Sequence, residues 1–154
     1  MVSRLEVAWT LAVVGLISGV AVYSTILLYH IDALSPDPNE YVDVTGHQWY
    51  WEFYYPANHS YFNSTYTAST NSVTGGELWA QPGWVVQLNI TSGDVIHSFN
   101  IPQLGIRLDA IPGRMNSIDV PIPSNAAVGT LYLIQCTEFC GEFHGTMRSF
   151  LQIT

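Results

Sequence analysis

The chain has 154 residues, enough for one compact domain and one additional element. Its composition is 48% hydrophobic and only 10% charged, with 12 acidic residues against 4 arginines and no lysine. This balance argues against a nucleic-acid-binding protein, which needs a basic surface, and it suits a protein partner with a basic docking face.

The first predicted element is a transmembrane helix over residues 7–31, an uncharged and mostly apolar run between Glu6 and Asp32. At ~1.5 Å per residue, a helix of this length exceeds the ~30 Å hydrocarbon core of a bilayer. A cleaved secretory signal is the alternative, but it needs a shorter apolar region and a small-residue cleavage site, and neither is clear here. Arg4 is the nearby cation, and it favours an N-terminus inside the cell with the remainder outside.

Pro36 and Pro38 end this helix and separate residues 1–34, which hold the helix, from residues 35–154. In the second region, short runs rich in aromatic and β-branched residues alternate with turn residues, a pattern typical of an antiparallel β-sandwich or barrel. The runs cover residues 41–45, 46–55, 78–80, 85–92, 98–101, 118–120, 131–135 and 148–153. Residues 56–76, rich in Ser, Thr, Asn and Tyr, are predicted to form a long surface loop or a loose hairpin.

The last run is preceded by a cluster of metal-binding residue types, in which Cys136, Cys140, His144 and Met147 follow at intervals of four, four and three residues. Two thiolates, an imidazole and a thioether are soft ligands that select copper or zinc, and the methionine argues against zinc. A blue-copper site needs only one cysteine, so the second cysteine indicates ligands for more than one copper ion. If both thiolates bridge two ions, a second histidine must come from elsewhere, and His97 is the candidate.

A disulfide between Cys136 and Cys140 is the alternative interpretation, because such pairs are common outside the cytoplasm. It leaves the presence of His144 and Met147 at this spacing without an explanation. The glycines that follow the second cysteine and the histidine, Gly141 and Gly145, are expected to supply the freedom that tight turns need, since glycine tolerates positive φ.

The segment Cys136-Thr-Glu-Phe-Cys-Gly-Glu-Phe-His-Gly-Thr-Met147, together with Asp94-Val-Ile-His97, resembles subunit II of the haem-copper terminal oxidases, in its short copper-containing form with a single helix. The resemblance covers nearly the whole chain. It implies a mainly β fold, a cupredoxin-like Greek-key barrel that follows one transmembrane helix, with the metal between loops at one end. It also implies a single-pass protein of the cell membrane with a cytoplasmic N-terminus and an extracytoplasmic copper domain.

In that family the cluster holds a mixed-valence centre of two copper ions, called Cu-A. The two cysteines bridge both ions, each histidine completes one ion, and the methionine and one backbone carbonyl are weak ligands. Carried over residue by residue, the copper ligands are His97, Cys136, the carbonyl of Glu138, Cys140, His144 and Met147. In some relatives the carboxylate at Glu138 also touches a magnesium ion at the subunit boundary.

The resemblance further assigns residues to the electron's route. Trp49, in the aromatic run after Gly46, is the residue at which the electron enters, whereas Arg107, Asp109 and Arg114 lie over the catalytic subunit, near the route to haem. Arg107 stands where the more familiar sequences carry Lys, which keeps the charge but changes the geometry.

The implied function is to accept electrons from a soluble or membrane-bound carrier, such as a cytochrome c or a small blue-copper protein. The electrons then pass to haem in catalytic subunit I, which reduces oxygen to water. Two alternatives are a membrane-anchored copper protein that transfers electrons or delivers copper without an oxidase, and the quinol-oxidase form of subunit II. The latter form lacks the metal ligands that this sequence contains.

Overall fold

The computed structural model describes residues 3–67, 72–74 and 78–154, which fall into two compact units, Met1–Ala33 and Leu34–Thr154. Helix α1, Arg4–Ile31, forms the first unit and begins with a capping box, in which the N–H of Glu6 donates to Ser3 Oγ and the N–H of Ser3 donates to the Glu6 carboxylate. None of its residues is buried, and its mean hydropathy reaches 2.2. The predicted helix is therefore present, starts a few residues earlier, and is long and apolar enough to cross a membrane.

The second unit consists of two five-stranded sheets and a small two-stranded sheet. The strand order is β10-β7-β1-β2-β3 in the first sheet and β6-β12-β11-β8-β9 in the second, and β4 pairs with β5. The strands are β1 Glu40–His47, β2 Tyr50–Tyr55, β3 Ser60–Asn63, β4 Thr65–Thr67, β5 Ser72–Thr74, β6 Leu78–Ala80, β7 Val85–Ser92, β8 His97–Ile101, β9 Ile106–Ala110, β10 Asn116–Pro121, β11 Leu131–Cys136 and β12 Arg148–Ile153. The predicted mainly β, cupredoxin-like fold is confirmed.

The sheets are mixed rather than purely antiparallel. β1 runs parallel to β7, with Val42 opposite Leu88, and β12 runs parallel to β6. Both pairs join strands that are far apart in sequence. A strand shows the same alternation of inward and outward residues whether its neighbour runs parallel or antiparallel to it. The sequence pattern therefore predicted the strands but not these two strand directions.

Residues 56–76, predicted to be a loop or a loose hairpin, contain β3, β4 and β5 within their described part, while residues 68–71 and 75–76 lie outside it. β9 was not predicted, although Ile106, Leu108 and Ala110 alternate with the polar Arg107 and Asp109, which is the pattern of a half-buried strand. The structure adds this strand next to β8, with His97 opposite Ala110.

The hydrophobic core lies between the two large sheets. Strand β1 shows how the core forms, since Val42 and Val44 are buried and Asp43 between them is not. Burial of each such side chain stabilises the fold by roughly 1.5–3 kcal/mol. The largest buried side chains include Trp51, Phe53, Leu88 and Ile90 from the first sheet and Phe99, Ile101, Ile134, Leu151 and Ile153 from the second.

Candidate metal centre

Three neighbouring strands bring the predicted ligands to one end of the second sheet. Cys136 ends β11 and Met147 immediately precedes β12, and the N–H of Cys136 donates to the carbonyl of Met147 at 3.1 Å. On its other side β11 pairs with β8, where Cys136 lies opposite Phe99. His97 is the first residue of β8, so a residue 39 positions earlier in the chain reaches the same end of the sheet.

The two cysteines lie at the centre of this cluster, with their sulfur atoms 3.9 Å apart. Nδ1 of His97 lies 3.9 Å from Cys136 Sγ, and Nδ1 of His144 lies 3.4 Å from Cys140 Sγ. Met147 Sδ lies 3.9 Å from Cys140 Sγ. Each thiol therefore has one imidazole nitrogen beside it, and the thioether lies on the Cys140 side.

The donor atoms fit a soft metal ion. Both cysteines are free and buried, and their separation is well beyond the ~2.05 Å of a disulfide. His97 and Met147 are completely buried and His144 is half-buried, so the cluster is shielded from water except on the His144 side. The thiol of Cys136 donates to the carbonyl of Glu138 at 3.2 Å, which places the sixth predicted ligand atom in the same cluster. Thiolate, imidazole and thioether together favour copper over magnesium or calcium.

Asp94 determines which nitrogen of His97 faces the cysteines. Its carboxylate lies 2.8 Å from Nε2, on the opposite side of the ring from Cys136. The same carboxylate accepts hydrogen bonds from the N–H groups of Gln48 at 2.7 Å and Val95 at 2.6 Å. A carboxylate that binds the outer nitrogen of a ligand histidine fixes the orientation of the ring.

These contacts shift the pKa values of both partners. Burial disfavours the charged form of His97, but hydrogen bonds to Cys136 and Asp94 outweigh it and raise the His97 pKa. Burial also opposes ionisation of Asp94, yet the hydrogen bonds from His97 and from the backbone N–H groups lower its pKa. The raised pKa of His97 and the lowered pKa of Asp94 favour the same state, in which an ionised carboxylate lies beside a protonated imidazole ring.

The two thiols differ in how easily they lose a proton. For Cys136, burial is outweighed by hydrogen bonds to His97 and to the backbone N–H of Ser98, so its pKa is lowered. For Cys140, burial and the neighbouring charge of Cys136 raise the pKa. A metal ion that binds both sulfurs must therefore displace a proton held on Cys140.

Two glycines are required by close contacts at this site. A Cβ at Gly46 would lie 2.9 Å from the Cδ2 atom of His97, so only glycine leaves room for the ligand ring. Gly141 has a φ of 120°, and a Cβ there would also lie 3.1 Å from the side chains of Gln48 and Trp49. Gly141 therefore uses the positive φ that glycine tolerates, whereas Gly145 lies in a short 3-10 helix, has no positive φ and has open space around it.

The structure places Trp49 against the ligand loop. Its Nε1–H donates to the carbonyl of Cys140 at 3.2 Å, and the side-chain amide of Gln48 donates to the same oxygen at 2.7 Å. The Phe143 ring packs edge-on against Trp49, with the ring centroids 4.8 Å apart. Phe143 is 49% exposed, so it lies between part of the Trp49 ring and solvent.

The three residues predicted at the subunit interface lie outside the ligand cluster. Arg107 Nε donates to the hydroxyl of Ser98 at 3.2 Å, and that hydroxyl donates to Asp109 at 2.8 Å. The buried serine thus joins the two charged side chains and also stands next to His97 on β8. Arg114 is exposed, and its N–H donates to the carbonyl of Ile111 at 3.2 Å.

Sequence reasoning missed several supporting residues. Asp94 lies three residues before His97, and at the start of a strand this spacing places its carboxylate near the ring. The spacing was therefore a signal in the sequence that could have identified Asp94. The contributions of Gly46, Gln48 and Phe143 depend on contacts between distant segments, and no local pattern identifies them.

Comparison with known proteins identifies the family. The model of the family described as cytochrome C oxidase subunit II, periplasmic domain, matches residues 41–154. Cytochrome c oxidase subunit 2 of Lycodon semicarinatus is 31% identical over 99% of this chain and 69% of its own length. The corresponding protein of Podospora anserina is 36% identical over 93% of this chain and 61% of its own length. The chain thus spans about half to two thirds of the length of such relatives.

The solved structures agree with this assignment. The periplasmic domain of subunit II of cytochrome oxidase from Bradyrhizobium japonicum has a TM-score of 0.70 and 29% identity, covering 79% of this chain and 88% of that domain. A chain of a heme-copper terminal oxidase dimer, at 18% identity, matches 99% of this chain with a TM-score of 0.57 and supports the fold alone. The chain therefore belongs to the cytochrome c oxidase subunit II family.

Proposed function

We propose that this chain is the electron-accepting subunit of a haem-copper terminal oxidase and holds two copper ions. The observation that carries the proposal is the pairing at the cluster, where each of two buried, free thiols has its own imidazole nitrogen within 3.9 Å. A single blue-copper ion needs only one thiolate, so the second thiolate with its own histidine supports two ions.

The proposed ligands have separate roles. Cys136 and Cys140 would hold both ions, and His97 and His144 would each complete one of them. Met147 and the carbonyl of Glu138 lie on the Cys140 side and the Cys136 side respectively, which supports one weak ligand for each ion. The bound centre supplies one-electron transfer without bond breaking.

The protein surroundings favour that chemistry by limiting movement. Asp94 holds the His97 ring, and the backbone bond between Cys136 and Met147 closes the ligand loop. Four of the five side-chain ligands are buried, so little solvent must reorganise when the charge of the site changes. Trp49, hydrogen-bonded to the carbonyl of Cys140, is proposed as the residue through which the electron arrives.

The remaining parts of the proposal concern the assembly. Subunit I would receive the electron near Arg107, Asp109 and Arg114 and would carry out oxygen reduction. A magnesium ion is proposed near the exposed carboxylate of Glu138. Helix α1 would anchor the chain in the cell membrane, with the N-terminus in the cytoplasm and the copper domain outside. The acceptor role requires a carrier such as a cytochrome c or a small blue-copper protein.

The alternative of a copper-delivery protein has less support. Delivery requires ligands that a partner can reach and exchange, whereas His97 and Met147 are 0% exposed and the two cysteines at most 7%. His144 is half-buried, so four of the five side-chain ligands are out of a partner's reach, which favours a site that keeps its metal.

The test is the number of copper ions held by the full chain in detergent. We expect two ions per chain and one unpaired electron shared between both nuclei, measured by metal analysis and electron paramagnetic resonance. Cys140→Ser should leave at most one ion, whereas Met147→Leu should keep both because the thioether is a weak ligand. Cys136→Ser is the matched variant at the other thiol and should also prevent binding of two ions. One ion per folded chain, with Cys140 dispensable, would refute the proposal.

A further inference from the structure

A cleft of about 220 Å³ lies at the end of the barrel opposite the metal centre. Glu40, one of its lining residues, begins strand β1, whereas Gly46 near the other end of β1 lies against the His97 ring. About 20 Å of extended strand therefore separates the cleft from the metal cluster. The cleft shares no lining residue with the ligand loop.

Aromatic side chains form the walls of this cleft. We define the aromatic cleft by the rings of Tyr55, Phe62, Trp79 and Trp84 together with the carboxylate of Glu40. Phe62 packs edge-on against Trp79 with the ring centroids 4.8 Å apart, and the Tyr55 ring lies 5.8 Å from both. Phe62, Trp79 and Trp84 pack against the core but are only half-buried, so part of each ring is open to a ligand.

Hydrogen bonds hold these walls in place. The backbone N–H of Trp79 donates to the Tyr55 hydroxyl at 3.1 Å. The N–H of Trp84 donates to the carbonyl of Gln81 at 3.2 Å, and the carbonyl of Trp84 accepts from the N–H of Ile122 at 2.7 Å. A cleft with fixed walls loses little conformational entropy when a ligand binds.

Among the described side chains that line the cleft, Glu40 is the one that carries a charge. Val42 and Val44 show that the even-numbered residues of β1 face the core, and Glu40 continues this row. Glu40 is half-buried, and within the described part of the chain no basic side chain forms an ion pair with it. Burial raises the pKa of Tyr55 to about 12, and the nearby charge of Glu40 adds to the shift, so the carboxylate lies near the Tyr55 hydroxyl.

This combination predicts a cationic ligand. A half-buried carboxylate at a core-facing position costs free energy unless a cation pairs with it, and the faces of tryptophan, tyrosine and phenylalanine rings attract cations as well. The volume of about 220 Å³ is below the ~300 Å³ at which sites for drug-sized molecules begin. The cleft therefore suits a single charged group at the end of a side chain.

The acceptors in the cleft favour a guanidinium group over an ammonium group. An ammonium group has three N–H donors that point in different directions, whereas a guanidinium group gives two parallel donors to one carboxylate and stacks its flat face on an aromatic ring. The Tyr55 hydroxyl already accepts from the N–H of Trp79, and the Asn58 side-chain oxygen accepts from the N–H of Ser60 at 3.1 Å. One carboxylate beside aromatic rings thus fits arginine best.

We propose that the aromatic cleft binds the guanidinium group of an arginine side chain that a partner protein presents. The arginine must come from another chain, because none of the four arginines of this chain lines the cleft and the sequence contains no lysine. The excess of 12 acidic residues over 4 arginines also favours a basic partner. The inference goes beyond the proposed function, since this attachment site lies far from the copper ligands and does not depend on electron transfer.

The experiment uses the full chain in detergent, with its copper reduced so that no unpaired electron broadens the nuclear magnetic resonance signals. The indole N–H signals of the five tryptophans are followed while a glycine peptide with one central arginine is added. The same peptide with citrulline, which has nearly the same shape but no charge, is the matched probe. Free acetylarginine amide, tetramethylammonium and methyl glucoside test for a small guanidinium compound, an alkylated ammonium ion and a neutral sugar.

Three variants locate the binding site. Glu40→Gln removes the charge with little change in size, and Trp84→Leu removes a half-buried ring but keeps an apolar side chain. Glu52→Gln is the matched control, because Glu52 is also half-buried but faces away from the core on β2.

We expect the arginine peptide to shift the Trp79 and Trp84 signals but not those of Trp49 and Trp51, and to bind about fivefold more tightly than the citrulline peptide.

Glu40→Gln should weaken binding about fivefold and Trp84→Leu about threefold, whereas Glu52→Gln should change it by less than about twofold. Urea unfolding should show no loss of stability in Glu40→Gln, because the carboxylate has no ion-pair partner to lose.

Equal binding of the citrulline peptide would overturn the proposal, as would tighter binding of tetramethylammonium or the glucoside. If free acetylarginine amide binds but the peptide does not, the ligand is a small guanidinium compound and the inference of a partner protein is wrong. An effect of Glu52→Gln equal to that of Glu40→Gln would place the binding outside the cleft and would also refute it. The copper content of the chain is measured separately, so none of these results bears on the proposed function.

Discussion

Gly46→Ala is predicted to damage the metal site from a position far from the ligands in sequence. Gly46 lies on β1 opposite Trp51, and its missing side chain leaves space for the His97 ring. An added Cβ would lie 2.9 Å from Cδ2 and 3.2 Å from Cγ of His97, whereas ordinary contacts begin at 3.4 Å. The ring must therefore move by about 0.5 Å or the β1 backbone must retreat.

The size of the effect follows from the burial of this region. His97 and Trp51 are both 0% exposed, and Trp51 lies 3.1 Å from the added Cβ on its other side. Neither neighbour has free space, so the overpacking should cost about 1–3 kcal/mol of unfolding free energy. Displacement of the ring also stretches its bond to Asp94. Loss of such an outer contact typically weakens metal binding about 10- to 100-fold.

The measurement compares Gly46→Ala with Gly145→Ala. Gly145 directly follows the ligand His144, but a Cβ there meets nothing within 4 Å and its φ is not positive. We expect Gly145→Ala to keep both stability and copper affinity, whereas Gly46→Ala loses both. Urea unfolding gives the stability, and competition with a copper chelator gives the affinity. Unchanged copper affinity in Gly46→Ala, or equal damage in Gly145→Ala, would refute the contact argument.

Three further predictions concern Trp49, Tyr55 and Cys140. Trp49→Phe should slow electron acceptance from a donor protein but leave the copper absorption spectrum unchanged, because Gln48 still donates to the carbonyl of Cys140; an unaffected rate would reduce Trp49 to a packing residue. Burial raises the pKa of Tyr55 from 10.0 to about 12, so the unfolded chain loses this proton first and stability should fall between those pH values. In Tyr55→Phe this fall should shrink, while stability at neutral pH drops by about 1–3 kcal/mol because the N–H of Trp79 loses its acceptor; identical pH profiles in urea unfolding would contradict this. Copper affinity should rise with pH, because the raised pKa of Cys140 means that binding releases a proton; proton release on loading, followed with an indicator dye, checks the sign, and none would count against it.

The sequence singled out four of the proposed ligands because their side chains lie within one short segment. Soft ligands at that spacing have few other uses, so Cys136, Cys140, His144 and Met147 stand out without a structure. The link to His97 was weaker, since it depends on the pairing of β11 with β8. A periodic pattern identifies a strand but not its neighbour, so His97 was a candidate for the second histidine and the family resemblance supported the choice.

Local patterns also predicted most of the strands, but not how the strands are arranged. Alternating apolar residues in β1 and β7 marked both as strands, but alternation does not determine whether two strands run parallel. β9 was missed although its apolar residues alternate with Arg107 and Asp109, so the strand signal was present in the sequence. The surface over the metal was also beyond sequence reasoning, since the exposure of Phe139 and Phe143 depends on how the ligand loop folds.

The ligand loop begins and ends at one backbone hydrogen bond, from the N–H of Cys136 to the carbonyl of Met147. Both flanking strands are then paired along their length, from Leu131 opposite Gln152 to Gln135 opposite Arg148. The segment between them is thus the connection of a hairpin, and its contacts with Gln48 and Trp49 fix it at Cys140 and Gly141. This one stretch carries five of the six proposed ligands, so its replacement would change the metal chemistry while the strands, and His97 on β8, stay as they are.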